Sequence, residues 1–374
     1  MRLRILGIMI PIVIVAFSYG IAVGLYEYFP YEGLNQTKKI ILNEGAEEPF
    51  IAPISLEKFV ISSIIDIDNE SDILKKREAL NQLIWKTKSI PNSYPDIIEK
   101  NILDERFNDL NNLKQIDKFS IEMKHGLSSY VYLFLPEKAN NQLIIYHQGH
   151  SGGFINGKST ISYFLKNGYT IAAFSMPLVG INNQPTVDLE HLGPVKFISH
   201  KQFQLLETDD FSPISYFFTP ISYTLNYLDD NYNFTNYYMI GISGGGWTST
   251  IYPAIDTRIT KSFAVNGSLP SFLILSPKDV GDYENFYPDL LKIANYLELY
   301  IMSSYGENRE FTQIFNKYDP CCFAGLKYEY YEVELQQIIA NLGKGNFSVI
   351  SDDTHNERMI SDFSLELIEK NLKK

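Results

Sequence analysis

The stretch that decides the fold is YYMIGISGGGWTST, residues 237–250. Its short apolar run predicts a buried strand, and WTSTIYPAI after the glycines is compatible with a helix. A serine on a sharp strand-to-helix turn needs small neighbours, because the backbone there is strained and crowded. Gly241 and Gly245 supply them around Ser243. Ser243 is therefore either a nucleophile on such a turn or a serine in a flexible glycine-rich loop, and the flanking strand and helix favour the nucleophile.

A serine hydroxyl is a weak nucleophile at neutral pH, so it needs a base and a third group that orients the base. On a strand–turn–helix motif the partners follow in the order serine, acid, histidine. Of the six histidines, only His355 follows Ser243 in the sequence. It comes after an apolar strand predicted at residues 345–353, and it is the predicted base. Asp352 and Asp353 are too close to it in sequence to come from the neighbouring strand. The earlier histidines are His125, His147, His150, His191 and His200.

The predicted acid is Asp319. Residues 311–318 indicate a strand that ends at this aspartate, so Asp319 and His355 would follow successive strands at the same sheet edge as the serine. Glu307 is the alternative acid, if residues 297–304 form the strand instead. That segment is predicted to end a long helix that begins at residue 288.

The oxyanion of an acyl-transfer intermediate needs backbone N–H donors. Gly244, directly after the serine, is one predicted donor. The second would come from the loop after an earlier strand, in HQGHSGG, where Gln148, Gly149 and His150 are the candidates. The competing interpretation of this loop is a plain tight turn.

Strand and helix patterns alternate from about Lys118 to the end of the chain. Apolar strands are predicted at 141–149 and 169–177, and helices at 160–168 and 212–230. Such alternation predicts a parallel sheet covered by helices on both faces, with the site beyond the carboxyl ends of the strands.

These motifs together resemble the α/β-hydrolase superfamily over residues 118–374. The resemblance rests on GISGG at Ser243, YDP at Asp319, DDTHNE at His355, and HQGHSGG after a strand. It implies a mostly parallel eight-stranded sheet, a Ser-Asp-His triad and no cofactor or metal. The glutamine in the oxyanion loop departs from the His-Gly-Gly run of esterases.

The N-terminus predicts a membrane segment. Residues 5–26 carry no charge, and a helix that crosses a bilayer needs about 20 such residues. Arg2 and Arg4 favour a cytoplasmic N-terminus and an extracytoplasmic catalytic domain. Residues 1–28 are thus predicted to be a signal anchor and transmembrane helix, with a cleaved signal peptide and a secreted protein as the alternative. Residues 29–117 are predicted to be a mainly helical extension of unknown role.

Composition excludes some classes of function. The chain has 374 residues and a net charge of −12 without a basic block, which argues against nucleic-acid binding. The two cysteines, Cys321 and Cys322, form neither a disulfide framework nor a zinc motif. Two buried thiols are favoured over a vicinal disulfide, because adjacent cysteines bridge poorly.

The sequence therefore predicts a membrane-anchored serine hydrolase that acts on a small-molecule acyl ester, with a carboxylic ester favoured by analogy with the fold. The alternatives are a serine peptidase or amidase of the same fold, and a non-catalytic surface protein that keeps the fold. Residues 176–211, between a strand and a helix, are either a lid or a surface excursion.

Overall fold

The computed structural model describes residues 18–20, 59–274, 281–320 and 322–374. Every described residue from 59 onward belongs to one compact unit, Pro49–Lys374. This unit contains the central sheet, its covering helices and the candidate site.

Nine strands form one sheet in the order β1-β2-β3-β5-β4-β8-β9-β10-β11, and β6 and β7 pair as a separate hairpin. The strands are β1 (Ile97–Glu99), β2 (Leu113–Glu122), β3 (Ser128–Pro136), β4 (Gln142–His147), β5 (Thr170–Phe174), β6 (Thr186–Leu189), β7 (Gly193–Lys196), β8 (Asn236–Ile242), β9 (Ile259–Val265), β10 (Glu310–Asn316) and β11 (Asn346–Asp352).

The predicted α/β class with a mostly parallel sheet is confirmed, but the strand count is wrong. β4, β5 and β8 to β11 pair in parallel, whereas β1, β2 and β3 are antiparallel to their neighbours, so the sheet is mixed. The ninth strand is β1, which pairs with β2 from inside the segment predicted to be helical. Three residues are too few to show a periodic pattern, which explains why the sequence did not reveal this strand.

Eight helices have described bounds: α1 (Glu70–Trp85), α2 (Lys158–Lys166), α3 (Ser215–Asn231), α4 (Gly244–Ile255), α5 (Pro288–Ile293), α6 (Tyr296–Ser304), α7 (Glu332–Leu342) and α8 (Asp362–Leu372). They cover both faces of the sheet. Side chains alternate between the faces of a strand, and along β4 Leu143 and Ile145 join one buried apolar cluster while Ile144 and Tyr146 join another. Buried side chains of α3, α4 and α6 belong to the first cluster, and those of α2 and α8 to the second.

The predicted transmembrane helix at residues 1–28 is not borne out. Of that segment the structure describes only Ser18 to Gly20, which are helical. Within the described ranges, no helix has the length and apolar character that crossing a membrane requires. The remainder of the predicted span lies outside the described residues. The expectation of a single-pass membrane protein with an extracytoplasmic catalytic domain depended on that helix and is not borne out either.

Candidate active site

Ser243 lies on a strained turn between β8 and α4. Its backbone has φ 55° and ψ −122°, a region that residues with a side chain rarely adopt. The Ser243 N–H donates to the carbonyl of Val265 at 2.9 Å, which ties the turn to the end of β9. A strained non-glycine residue at the carboxyl edge of a parallel sheet is a common feature of functional sites.

Glycines let three backbone segments meet beneath this turn. A Cβ on Gly241 would lie 2.1 Å from the carbonyl oxygen of Gly245, and one on Gly245 would lie 1.9 Å from that of His147. A Cβ on Gly246 would lie 2.8 Å from the Cα of Gly267. Any side chain at these positions would therefore push α4 away from the sheet.

The loop after β4 lies directly against the serine. A Cβ on Gly149 would lie 2.7 Å from the Cβ of Ser243, so only glycine fits there. The Gln148 N–H donates to the carbonyl of Phe174 at 3.0 Å and is thereby engaged in the sheet. The His150 ring lies over Gly244, with Cε1 2.5 Å from where a Cβ on that glycine would be.

Asp319 follows β10 at the same edge, as predicted, and its side chain is fully buried. Asn266 donates to its Oδ2 at 3.0 Å, and the backbone N–H of Phe323 donates to the same oxygen at 3.3 Å. The Arg358 guanidinium binds both carboxylate oxygens at 2.8–3.2 Å. The acid is therefore held in place by an amide, a backbone donor and an arginine.

Arg358 also reaches the serine, since its Nη1 lies 3.4 Å from the Ser243 Oγ. The guanidinium carbon lies 5.6 Å from the centre of the Phe323 ring, within range of a cation–π interaction. An arginine thus connects the proposed acid to the proposed nucleophile. No motif in the sequence marks Arg358 as part of the site.

His355 lies in the loop after β11 and faces a different carboxylate. Its Nδ1 is 3.5 Å from Asp352 Oδ1 and 3.2 Å from the hydroxyl of Thr354. The other ring nitrogen, Nε2, is buried and has no hydrogen-bond partner. Hydrogen bonds and ion pairs within the described ranges do not join His355 to Asp319.

Asp352 ends β11 and is fully enclosed. Burial alone would raise the pKa of this carboxyl, but the donors that surround it outweigh that effect and lower the pKa below its usual 3.8. Ser361 and Ser364 at the start of α8 donate to one oxygen, and Thr354 donates to the other. Asp352 therefore also fixes the entry to α8.

Glu307, the alternative acid, lies away from the serine. It precedes β10 at the amino edge of the sheet, and its side chain is 78% exposed beside Lys344. The predicted long helix before it is wrong, because α5 and α6 are separate helices. Asn295 lies between them and caps α6, accepting hydrogen bonds from the N–H groups of Leu297 and Glu298.

Four ionisable side chains meet on the far side of the His150 ring from Gly244. His150, His200, Asp282 and Glu284 each bring a ligand-type atom within 4.8 Å of the others. Burial would raise the pKa of Glu284, but the two histidines outweigh it and lower the pKa to about 2. Burial would lower the pKa of His200, but Glu284 reverses this and raises it. The group is therefore a compact charged cluster beside the serine turn.

Comparison with known proteins agrees with this architecture. The chain is similar to acetyl xylan esterase 1 from Thermoanaerobacterium sp. JW/SL YS485, with 12% identity, a TM-score of 0.54, and coverage of 83% of this chain and 95% of that one. The acetyl xylan esterase from Paenibacillus sp. R4 is 12% identical, with a TM-score of 0.54 and coverage of 84% of this chain and 99% of that one. A glucuronoyl esterase from Solibacter usitatus is 12% identical, with a TM-score of 0.52 and coverage of 81% of this chain and 91% of that one.

The chain has the α/β-hydrolase fold. At these identities the likeness shows the fold alone. No protein-family model matches the sequence, and no curated protein sequence matches it. The resemblance predicted from the serine, aspartate and histidine motifs is confirmed at the level of the fold.

Within this α/β-hydrolase fold, residues 176–211, the segment predicted to be an insertion, contain the β6–β7 hairpin and a 3₁₀ turn, His200–Leu206. The insertion brings His200 to His150, across 50 positions of the sequence. Neither His200 nor Glu284 has a local motif around it, so no sequence signal identified the cluster. Cys322, close after Asp319, is disulfide-bonded, so the expectation of two buried thiols is wrong. Cys321 lies outside the described residues.

Proposed function

We propose that this protein is a serine hydrolase that cleaves carboxylic esters with Ser243 as the nucleophile. The observation that carries the proposal is the strained backbone of Ser243 at a strand-to-helix turn whose close packing requires Gly149, Gly241 and Gly245. Asp319 follows β10 and His355 follows β11 at the same sheet edge, which is the order that this fold uses for a triad.

In the proposed reaction, the Ser243 hydroxyl attacks an acyl carbonyl while His355 accepts its proton. The Gly244 N–H, at the unsatisfied start of α4, is one donor to the oxyanion. Gln148 is excluded as the second donor because its N–H is bound to Phe174, which leaves Gly149 and His150. His355 then returns the proton to the leaving alcohol, and water hydrolyses the acyl-enzyme.

The triad requires an exchange of partners at Asp319. Arg358 binds this carboxylate, and a guanidinium stays protonated, so it cannot act as the base. We propose that His355 replaces Arg358 at Asp319 in the active form. The unpartnered, buried Nε2 of His355 supports this exchange, because an unpaired buried polar atom is costly.

The substrate class rests on analogy. The three similar proteins named above are esterases, and the proposed nucleophile, base and oxyanion donors suit acyl transfer. A carboxylic ester with a small acyl group is therefore the proposed substrate. Amide cleavage by the same triad is the alternative enzyme function.

A fluorophosphonate probe tests the nucleophile. We expect stoichiometric labelling of the native protein, none of Ser243→Ala, and normal labelling of Ser89→Ala, which changes an exposed serine in the loop after α1. A correctly folded native protein that does not label, or equal labelling of Ser243→Ala, would refute the hydrolase proposal. Either result would favour a non-catalytic role in which Arg358 stays bound to the Asp319 carboxylate.

Two further comparisons separate the remaining roles. Asp319→Asn should lower kcat by about 10⁴-fold, the effect of losing the orienting acid of a triad. Asp352→Asn should lower kcat by less than about tenfold. The reverse ranking would assign the acid to Asp352. p-Nitrophenyl acetate and a peptide anilide then distinguish esterase from amidase activity.

A further inference from the structure

We infer that His150, His200, Asp282 and Glu284 form a binding site for a zinc-like divalent ion beside the serine turn. Two imidazole nitrogens and two carboxylate oxygens are a ligand set that Zn²⁺ accepts in tetrahedral geometry. The inference concerns these four side chains only and does not depend on the proposed hydrolase activity.

The distances between the four side chains suit a tetrahedral ion. With bonds of about 2.0 Å, such an ion holds its ligands roughly 3.3 Å apart. His150 Nε2 lies 2.8 Å from Glu284 Oε1, 3.2 Å from His200 Nδ1 and 3.4 Å from Asp282 Oδ2. His200 Nδ1 lies 3.1 Å from Glu284 Oε2. All four ligand atoms lie within 4.8 Å of one another, so small shifts of these side chains bring them to the spacing of one ion.

The hydrogen bond on the far side of His200 fixes the ring for metal binding. Its Nε2 lies 2.7 Å from the carbonyl oxygen of Pro177, which can only accept, so Nε2 carries a hydrogen. In the neutral ring the lone pair of Nδ1 then points at the Glu284 carboxylate and at His150. Metal-binding histidines commonly donate their other N–H to a backbone carbonyl in this way.

The cluster also needs a positive charge at its centre. The side chain of Glu284 is fully buried and that of His200 is 3% exposed, and burying an unpaired carboxylate costs several kcal/mol. Ligand-type atoms of all four side chains lie within 4.8 Å of one another, and at 2.8–3.1 Å a proton or a metal ion must lie between the ring nitrogens and the Glu284 carboxylate oxygens. A divalent ion satisfies all four donors at once, which one proton cannot do.

The proposed ion would connect three separate parts of the chain. His150 comes from the loop after β4, His200 from the insertion, and Glu284 from the 3₁₀ turn Tyr283–Phe286. Since the His150 ring lies over Gly244, the ion would hold the insertion against the loop that faces the serine.

The test is metal binding by the purified full chain. We expect about one zinc per chain by elemental analysis, loss of zinc on chelation, and its return on titration. Glu284→Gln and His200→Ala should weaken zinc binding by more than about 100-fold, since even changes behind the ligands cost 10–100-fold. His191→Ala is the matched control, because this histidine in the same insertion is 88% exposed. It should bind zinc like the native protein.

Circular dichroism checks that each variant is folded, and Asp282→Asn provides a milder change because this side chain is 34% exposed. Ser243→Ala should bind zinc normally, so a failed esterase assay and a failed metal site give different results. Native protein that is folded but takes up no stoichiometric zinc would overturn the inference. So would folded variants, including Asp282→Asn, that all bind zinc as tightly as the native chain. Co²⁺ substitution should also give the visible absorption of a four-coordinate ion.

Discussion

Gly245 gives the sharpest prediction about the serine turn. In the interior of an ordinary helix, replacing glycine by alanine stabilises by about 1 kcal/mol. Here the opposite should hold, because the new Cβ would lie 1.9 Å from the carbonyl oxygen of His147 and 2.8 Å from that of Gln148. Both obstacles are backbone atoms, which cannot rotate away as a side chain can.

The size of the effect follows from the gap that must open. The contact with His147 has to widen from 1.9 Å to at least 3.0 Å, the shortest separation that real Cβ atoms tolerate. Overpacking of this kind costs about 1–3 kcal/mol, and a clash with backbone belongs at the upper end. We expect a net loss of about 2–3 kcal/mol, which lowers Tm by roughly 3–4 °C in a chain of this length.

Thermal unfolding followed by circular dichroism measures the loss, and fluorophosphonate labelling measures its effect on the serine. Gly343→Ala is the control, since no atom lies within 4 Å of the new Cβ there and only the positive φ of 78° adds strain. It should cost about 1 kcal/mol and leave labelling unchanged, whereas Gly245→Ala should also slow labelling by shifting the end of β4. A Gly245→Ala protein at least as stable as the native chain would refute the steric reasoning.

Three further predictions concern the neighbourhood of the serine. Arg358→Gln should raise the rate of fluorophosphonate labelling several-fold, because it removes charged hydrogen bonds worth about 1.5–3 kcal/mol from Asp319; a fall in rate would mean that the arginine assists the serine. Asp352 has a lowered pKa in the folded protein, so its stabilising contribution is present above pH 3.8 and is lost as the pH falls through the folded-state value. Urea unfolding of Asp352→Asn should therefore depend less on pH below about 4 than that of the native protein, and parallel profiles would contradict this. Trp247→Phe removes a buried hydrogen bond of 3.2 Å to the Tyr296 hydroxyl and part of a fully buried ring; we expect a loss of about 2 kcal/mol in urea unfolding, and an unchanged midpoint would argue against this contact.

Much of the fold followed from local patterns. Apolar runs of five to seven residues became β4, β5 and β8, because a strand buried on both faces needs nearly continuous apolar side chains. The glycines around Ser243 predicted the turn, since no other residue permits such close approach of backbones. Asp319 and His355 were placed after β10 and β11 by the same alternation of strands and helices.

The rest depended on information that a single sequence does not carry. The conformation of the loop after β11 decides which of its side chains contacts Asp319. Arg358 makes the contact that was expected of His355. The cluster joins residues as far apart as His150 and Glu284, whose proximity arises only from packing. The N-terminal prediction relied on an apolar run preceded by Arg2 and Arg4, of which the structure describes only Ser18 to Gly20, and no helix among the described residues could cross a membrane.

Because β4 and β8 to β11 run in parallel, the carboxyl ends of all these strands lie at one edge of the sheet and their amino ends at the opposite edge. The proposed chemistry lies at the carboxyl ends of these strands, whereas the loops around Glu307 and Lys344 lie at their amino ends. β4 has six residues, and six residues of strand span about 20 Å. Surface immobilisation, a fluorophore or a fused partner attached near Glu307 would therefore sit about 20 Å from the serine, which makes that edge a practical place to hold the protein while its reactivity is measured.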